Sequence, residues 1–307
     1  MTGDFMALLG KGVFPSFAAG GPGPMPLEAT TVFAFHCSEG VIICGDHRAT
    51  AGNTVFSDKT EKILELDSHS LMAIAGVPAT AFEMARTLQT AFQFYRRSQL
   101  QPMSLAAKIR ALSRLLRENL PATLQGIGAV SPIFAGAEPD GQALGDTAVV
   151  GAAPGLTSGT SISLATVSSR SRAGDSTGRP RPVQAGASPA PLSPPRPAGR
   201  PVICFYDPLG AHFEAADFAA SGSGSAFIRS VLHYLLHWGR PRPEDMPLAE
   251  ASVLAIRLLM TAAEFDTATG GVHPEHDQFA TLKLLSAHGV RTVSAEEQAR
   301  YWKEAAA

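Results

Sequence analysis

Chemistry in this chain of 307 residues could begin at two adjacent hydroxyls, Thr30-Thr31, which open an apolar stretch after a Gly- and Pro-rich segment. Asp46 lies sixteen residues beyond Thr30, Lys62 sixteen beyond Asp46, and Gly76 fourteen further on. Alone, each has an ordinary reading. A threonine pair favours a strand, and single Asp and Lys residues are usually surface charges. The set is what points to chemistry, because a threonine hydroxyl becomes a useful nucleophile only with a base beside it.

Other reactive groups read as packing or surface. His233 and His237 have the spacing of a metal pair on a helix, but Leu236 and Trp238 beside them suggest ordinary packing. His273-Pro-Glu-His276 falls in a loop. Ser221-Gly-Ser-Gly-Ser225 lacks the lysine of a phosphate-binding loop. Cys37, Cys44 and Cys204 are odd in number and scattered, so they read as reduced thiols on buried strands rather than a disulfide framework or zinc site. No metal and no cofactor is expected.

The elements that must position the candidate residues follow from periodicity. Residues 1–29 show neither helical nor strand period and read as a flexible leader. Strands are predicted over 31–35, 41–44, 62–66 and 70–75, with turns at 38–40 and 67–68. Helices are predicted over 79–97 and 105–120, where apolar residues recur at three and four, and a strand over 126–137. Residues 139–200 contain no aromatic residue and are dense in Ala, Gly, Ser and Pro, which marks a disordered insertion. Strands at 201–206 and 212–220, helices at 225–237 and 247–263, strands at 279–286 and 290–293, and a helix from Ala295 complete the pattern. Strands, two helices, strands, two helices, strands describes an α+β, four-layer αββα sandwich better than singly alternating strand and helix.

Composition sets outer limits. Hydrophobic residues make up 45% and charged residues 17%, enough for a sizeable core. A net charge of −2 and a pI near 6.5 give no electrostatic footprint for nucleic acid or an anionic membrane. No run approaches the roughly 20 apolar residues of a membrane span. The first residues lack the basic region of a secretory signal, so a cytoplasmic protein is expected.

Six segments, in order, resemble the motif series of proteasome β subunits: Thr30-Thr-Val-Phe-Ala, Gly45-Asp-His-Arg-Ala-Thr-Ala-Gly52, Lys62, Ala73-Ile-Ala-Gly76, Ser221–Ser225 and Asp266-Thr-Ala-Thr-Gly-Gly271. The likeness runs from Thr30 to about Val293, interrupted at 139–200, and is greatest to the bacterial, actinobacterial type. It implies the N-terminal-nucleophile hydrolase fold and a threonine endopeptidase degrading unfolded proteins in a chamber. Residues 1–29 would be a propeptide, removed by self-cleavage between Ala29 and Thr30, and 30–307 the peptidase domain. Thr30 would be the nucleophile, with its freed α-amine as base. Lys62 would stabilise the developing alkoxide, Asp46 would orient Lys62, and the Gly76 N–H would bind the oxyanion. Ser223, Asp266 and Thr269 would support the terminal amine; the family usually has Ser at the position of Thr269, and a hydroxyl remains. Ala49, Thr60, Leu64, Ile74 and Pro78 would surround the substrate side chain that precedes the cut. Ala29 departs from the family's usual Gly by a methyl group that could slow self-cleavage without preventing it. The implied partners are a proteasome α subunit, other copies of this chain in β rings, a hexameric ATPase acting through the α ring, and protein substrates. Three rival readings stand beside this one: the peptidase of the two-ring ATP-dependent bacterial protease, echoed by Gly52-Asn-Thr-Val55; a catalytically silent ring subunit; and an amidohydrolase of small amides. The retained Thr30, Asp46 and Lys62 argue against silence.

Overall fold

In a computed structural model, the structure describes residues 30–51, 54–125, 128–138, 200–215, 217–276 and 278–306. All belong to one compact unit; a second unit, residues 142–198, lies outside the described residues, as do the leader 1–29 and nearly all of the expected insertion. The strands are β1 (Thr31–Cys37), β2 (Gly40–Gly45), β3 (Ala49–Ala51), β4 (Thr54–Ser57), β5 (Ile63–Asp67), β6 (Ser70–Ala73), β7 (Ile133–Gly136), β8 (Val202–Tyr206), β9 (His212–Ala215), β10 (Phe218–Gly222), β11 (Thr281–Ser286) and β12 (Gly289–Thr292). The helices are α1 (Pro78–Gln99), α2 (Leu105–Glu118), α3 (Leu120–Leu124), α4 (Ser225–Trp238), α5 (Leu248–Phe265) and α6 (Ala295–Ala306).

Two five-stranded antiparallel sheets, ordered β10-β1-β2-β11-β12 and β5-β6-β7-β8-β9, stack face to face, with helices on each outer face. Strand alternation explains the layers. Val32, Ala34, Val41 and Ile43 of the first sheet meet Leu71, Ala73, Ile133 and Ile203 of the second between the sheets. The alternate residues Phe33, Phe35, Ile42 and Cys44 face α4 and α5, while Met72, Phe134, Cys204 and Tyr206 face α1 and α2. Each large apolar side chain so buried contributes roughly 1.5–3 kcal/mol; truncating Phe33, which has no exposure, would cost about 3–5 kcal/mol. The expected αββα sandwich is what the chain forms.

Local chemistry sets the element ends. Pro78 occupies the first turn of α1, where its missing N–H is no loss. The Ser104 hydroxyl caps α2 by accepting from the Ala107 N–H. Pro121 cannot donate an N–H, and the helix predicted to reach residue 120 breaks at Asn119 before α3 begins. The strand predicted over 126–137 shrinks to β7, since Pro132 cannot donate to a ladder. The predicted strand 212–220 is two strands on different sheets, β9 and β10, because the chain crosses between the layers near Asp217. The short hairpin β3–β4 escapes sequence reasoning altogether. Strands β7 and β8, on either side of the 139–200 segment, pair directly, with Gly136 opposite Val202. Cys37, Cys44 and Cys204 are buried on strands β1, β2 and β8, as expected.

Candidate active site

Strand register gathers the distant motifs. β1 sits between β2 and β10, with Val32 opposite Gly45 and Thr31 opposite Gly222. Asp46 and Ser223, each one residue past those partners, therefore flank the start of β1. Gly222 has φ of 97°, and a Cβ there would sit 1.6 Å from the Thr30 carbonyl oxygen, so the close approach requires glycine. The Ser223 N–H donates to that same carbonyl at 3.1 Å. Thr30 itself is buried, with 4% exposure.

Asp46 is the hub. Its Oδ1 accepts from the Lys62 ammonium at 2.6 Å and from the Thr31 N–H at 3.0 Å. Its Oδ2 accepts from the N–H groups of Arg48 (3.1 Å) and Gly270 (2.8 Å). Lys62 also donates to the Arg48 carbonyl. Asp46 and Lys62 are each only 1% exposed, and so deep a carboxylate persists because every lone pair has a donor. Burial pushes the Lys62 ammonium below its usual range, while the charge and hydrogen bond of Asp46 oppose that fall. The Thr31 N–H and Lys62 Nζ share one oxygen, and Thr30 is bonded to that amide nitrogen.

A second carboxylate, Asp266 at the end of α5, accepts at Oδ2 from the hydroxyls of Ser223 and Thr269, each at 2.6 Å. Thr269 lies 2.6 Å from the Thr31 hydroxyl, which joins the two carboxylate networks. Gly76 stands at φ 107° beyond β6. It pairs with Val130 through flanking bonds only, Ser131 N–H to Ala75 O (2.8 Å) and Val77 N–H to Ala129 O (2.9 Å). The Gly76 N–H is thus not spent on that pairing. A Cβ there would lie 2.2 Å from the Ala129 oxygen.

Of the five residues expected around a substrate side chain, Ile74 and Ala49 lie nearest Lys62 in the chain's hydrogen bonding. The Ile74 N–H donates to the Lys62 carbonyl at 2.9 Å, and Ala49 follows Arg48, whose carbonyl Lys62 binds. The Thr60 N–H donates to His47 O at 3.0 Å. Ile74 lies in, and Leu64 packs against, the apolar layer under α1, which Pro78 opens. Ala49 and Ile74 are buried, whereas Thr60, Leu64 and Pro78 are half-buried. Ala29 and residues 52–53 lie outside the described residues.

Sequence reasoning missed Arg48. Its guanidinium bonds Asp58 at 2.9 Å and the carbonyls of Thr267 (3.3 Å) and Thr269 (3.5 Å), clamping the 266–271 loop onto the turn after β2. A basic residue two past the Asp was its only signal. The His233 and His237 rings lie tilted with centroids 4.1 Å apart and His237 Nδ1 on its own helix's carbonyl at 2.9 Å, and His273 and His276 lie at a one-turn helix. Among the described residues no group of three or more His, Cys, Asp or Glu side chains could hold a metal, and no helix is long and apolar enough to cross a membrane.

A family model described as "Proteasome subunit" matches residues 27–165 and 196–273. Proteasome subunit beta 2 of Thermomonospora curvata is 32% identical over 281 residues, covering 91% of this chain and 78% of that protein. Proteasome subunit beta of Stackebrandtia nassauensis is 30% identical over 299 residues, covering 95% and 85%. That of Acidothermus cellulolyticus is 29% identical over 294 residues, covering 95% and 81%. With a layered α+β fold and a buried Thr, Asp and Lys cluster at one end of its first sheet, the chain belongs to the proteasome subunit family.

Proposed function

We propose that this chain is the catalytic β subunit of a bacterial proteasome core particle, a threonine endopeptidase unmasked by self-cleavage between Ala29 and Thr30. One observation carries the reading: Asp46 Oδ1 holds both the Lys62 ammonium and the amide that follows Thr30. In the precursor the nitrogen of Thr30 is an amide and cannot act as a base. Attack of the Thr30 hydroxyl on the Ala29 carbonyl moves the acyl group from nitrogen to oxygen. Hydrolysis of that ester releases 1–29 and leaves a free α-amine, whose ordinary pKa of about 7.7–8.0 suits general-base work near neutrality.

In the mature enzyme the amine takes the hydroxyl proton as the oxygen attacks a substrate carbonyl. The Lys62 cation lowers the cost of the developing alkoxide, and Asp46 holds Lys62 in place. The Gly76 N–H, turned away from residues 129–131, stabilises the tetrahedral oxyanion, a contribution of roughly 3–4 kcal/mol in comparable sites. The proton then passes to the leaving amine, and water, deprotonated by the α-amine, hydrolyses the ester. Ser223 and Thr269 both donate to Asp266, which leaves the Ser223 oxygen able to accept from the α-amine.

In this reading the chain assembles with a proteasome α subunit into rings, under a hexameric ATPase, in the cytoplasm, where the three cysteines stay as thiols. The test is hydrolysis of fluorogenic peptides by the complex co-produced with its α partner. Wild type should turn them over and Thr30→Ala should not; equal rates in the two would overturn the assignment.

A further inference from the structure

Thr31 carries more hydrogen bonds than a strand-opening residue needs. Its N–H and carbonyl both bond Asp46, the carbonyl accepting from the Asp46 N–H at 3.2 Å. Its hydroxyl lies 2.6 Å from Thr269 Oγ1 and accepts from the Gly224 N–H at 3.1 Å. The side chain shares the helix-facing side of β1 with Phe33 and Phe35 and has no exposure, so its hydroxyl is cut off from water and must be satisfied within the protein.

The direction of the chain of hydroxyls can be assigned. Asp266, as a carboxylate, only accepts, and Thr269 commits its one hydrogen to it. The Thr31 hydroxyl must then donate to Thr269 while accepting from Gly224. Every member is satisfied in one sense only. Gly224 leaves room for the pair, since a Cβ there would lie 2.6 Å from Thr269 Oγ1 and 2.8 Å from Thr31 Oγ1.

We propose that Thr31 is a positioning residue of this site: its hydroxyl, locked between Thr269 and Gly224, fixes where Thr30 presents its amine and hydroxyl to Lys62. The inference rests on the function proposed above. Once the bond to Ala29 is cut, the Thr31 amide is the only covalent tether of Thr30. Any play in Thr31 becomes play in the nucleophile and its base, and misplacement by about 1 Å can cost on the order of 100-fold in rate.

The test uses the full-length chain in its assembled complex, with rates normalised to the fraction processed at residue 30 by intact mass. Thr31→Val keeps the shape and removes the hydroxyl. It should lower kcat by roughly 10–100-fold, leave KM near wild type because Thr31 is not among the pocket residues, and displace the acid limb of the pH–rate profile. Thr31→Ser keeps the hydroxyl and should recover most of kcat. Gly224→Ala, whose methyl strikes the same two hydroxyls, should give the same kcat-selective loss. Loss of self-processing in Thr31→Val but not in Thr31→Ser supports the proposal equally, because self-cleavage uses the same hydroxyl of Thr30. Wild-type kcat and pH profile in Thr31→Val or Gly224→Ala would overturn it, as would a Thr31→Ser as impaired as Thr31→Val. An inactive wild-type complex would instead refute the proposed function before Thr31 is altered.

Discussion

Replacing Asp46 by Asn keeps the side chain's shape and removes its charge and one of its two acceptor atoms. Four donors converge on that carboxylate: Lys62 Nζ and the Thr31 N–H on one oxygen, the Arg48 and Gly270 N–H groups on the other. The amide can serve one pair and must turn an NH2 toward the other. Each buried donor left unpaired costs about 1–3 kcal/mol, and breaking a buried ion pair costs about 3–5 kcal/mol. Lys62 also loses the charge that opposes its burial, so its pKa falls further below the usual ammonium range. If about 3–4 kcal/mol of that loss reaches the transition state, kcat drops by roughly 10²–10³. Steady-state hydrolysis of an apolar fluorogenic peptide by the processed complex measures it. Stability adds a sign. Because the Lys62 pKa is lower folded than unfolded, the unfolded chain binds more protons across the window up to 10.5, and the cost of burying the cation is relieved as pH rises through it. The stability gap between Asp46→Asn and wild type should therefore narrow from neutral to alkaline pH. An Asp46→Asn enzyme with wild-type kcat would refute this role for Asp46.

Further expectations follow from other parts of the molecule. Burial raises the Asp67 pKa, but the Lys108 ammonium at 2.6 Å, with Ser70 and His69, lowers it more, and the net shift is below 3.8. Stability from this pair is present above 3.8 and lost as pH falls through the folded value, so Asp67→Asn should cost about 3 kcal/mol in denaturant unfolding at neutral pH and much less in acid. Gly222→Ala, which drives a methyl into the Thr30 carbonyl, should block self-processing in an intact-mass assay while Thr31→Ser does not. Peptides ending in Tyr or Leu should be cut faster than those ending in Arg or Glu, because Ala49, Leu64, Ile74 and Pro78 offer no charge to a buried ion; burial of the apolar side chain contributes about 1.5–3 kcal/mol. Faster cleavage after Arg or Glu would contradict the pocket assignment.

The layer order and most elements were legible because the alternation of Thr31–Cys37 and Val41–Cys44 and the helical period of α1 and α2 are strong local signals. The crossing of the chain from β9 to β10 was not, since apolar periodicity says nothing about which sheet a strand joins. The β3–β4 hairpin is short and its outer face is exposed at Phe56, so burial leaves no pattern to read. In the site, Thr30, Asp46, Lys62 and Ser223 could be named from motifs, and register explains why they meet. Arg48 and the Thr31 hydroxyl could not be assigned, because their partners at 267–269 are more than two hundred residues away in the chain. Lys108 carried a readable hint: it falls on the apolar stripe of α2 with Leu112 and Leu116, where an unpaired lysine would be costly.

In the proposed mechanism Thr30 cuts its own chain and becomes the N-terminal nucleophile. Intact mass of the assembled complex tests it most directly. Wild type should show a mass lacking residues 1–29, with Thr30 at the amino terminus, and Thr30→Ala should stay full length. Wild type that keeps residues 1–29 while hydrolysing peptides, or Thr30→Ala processed after residue 29, would contradict it.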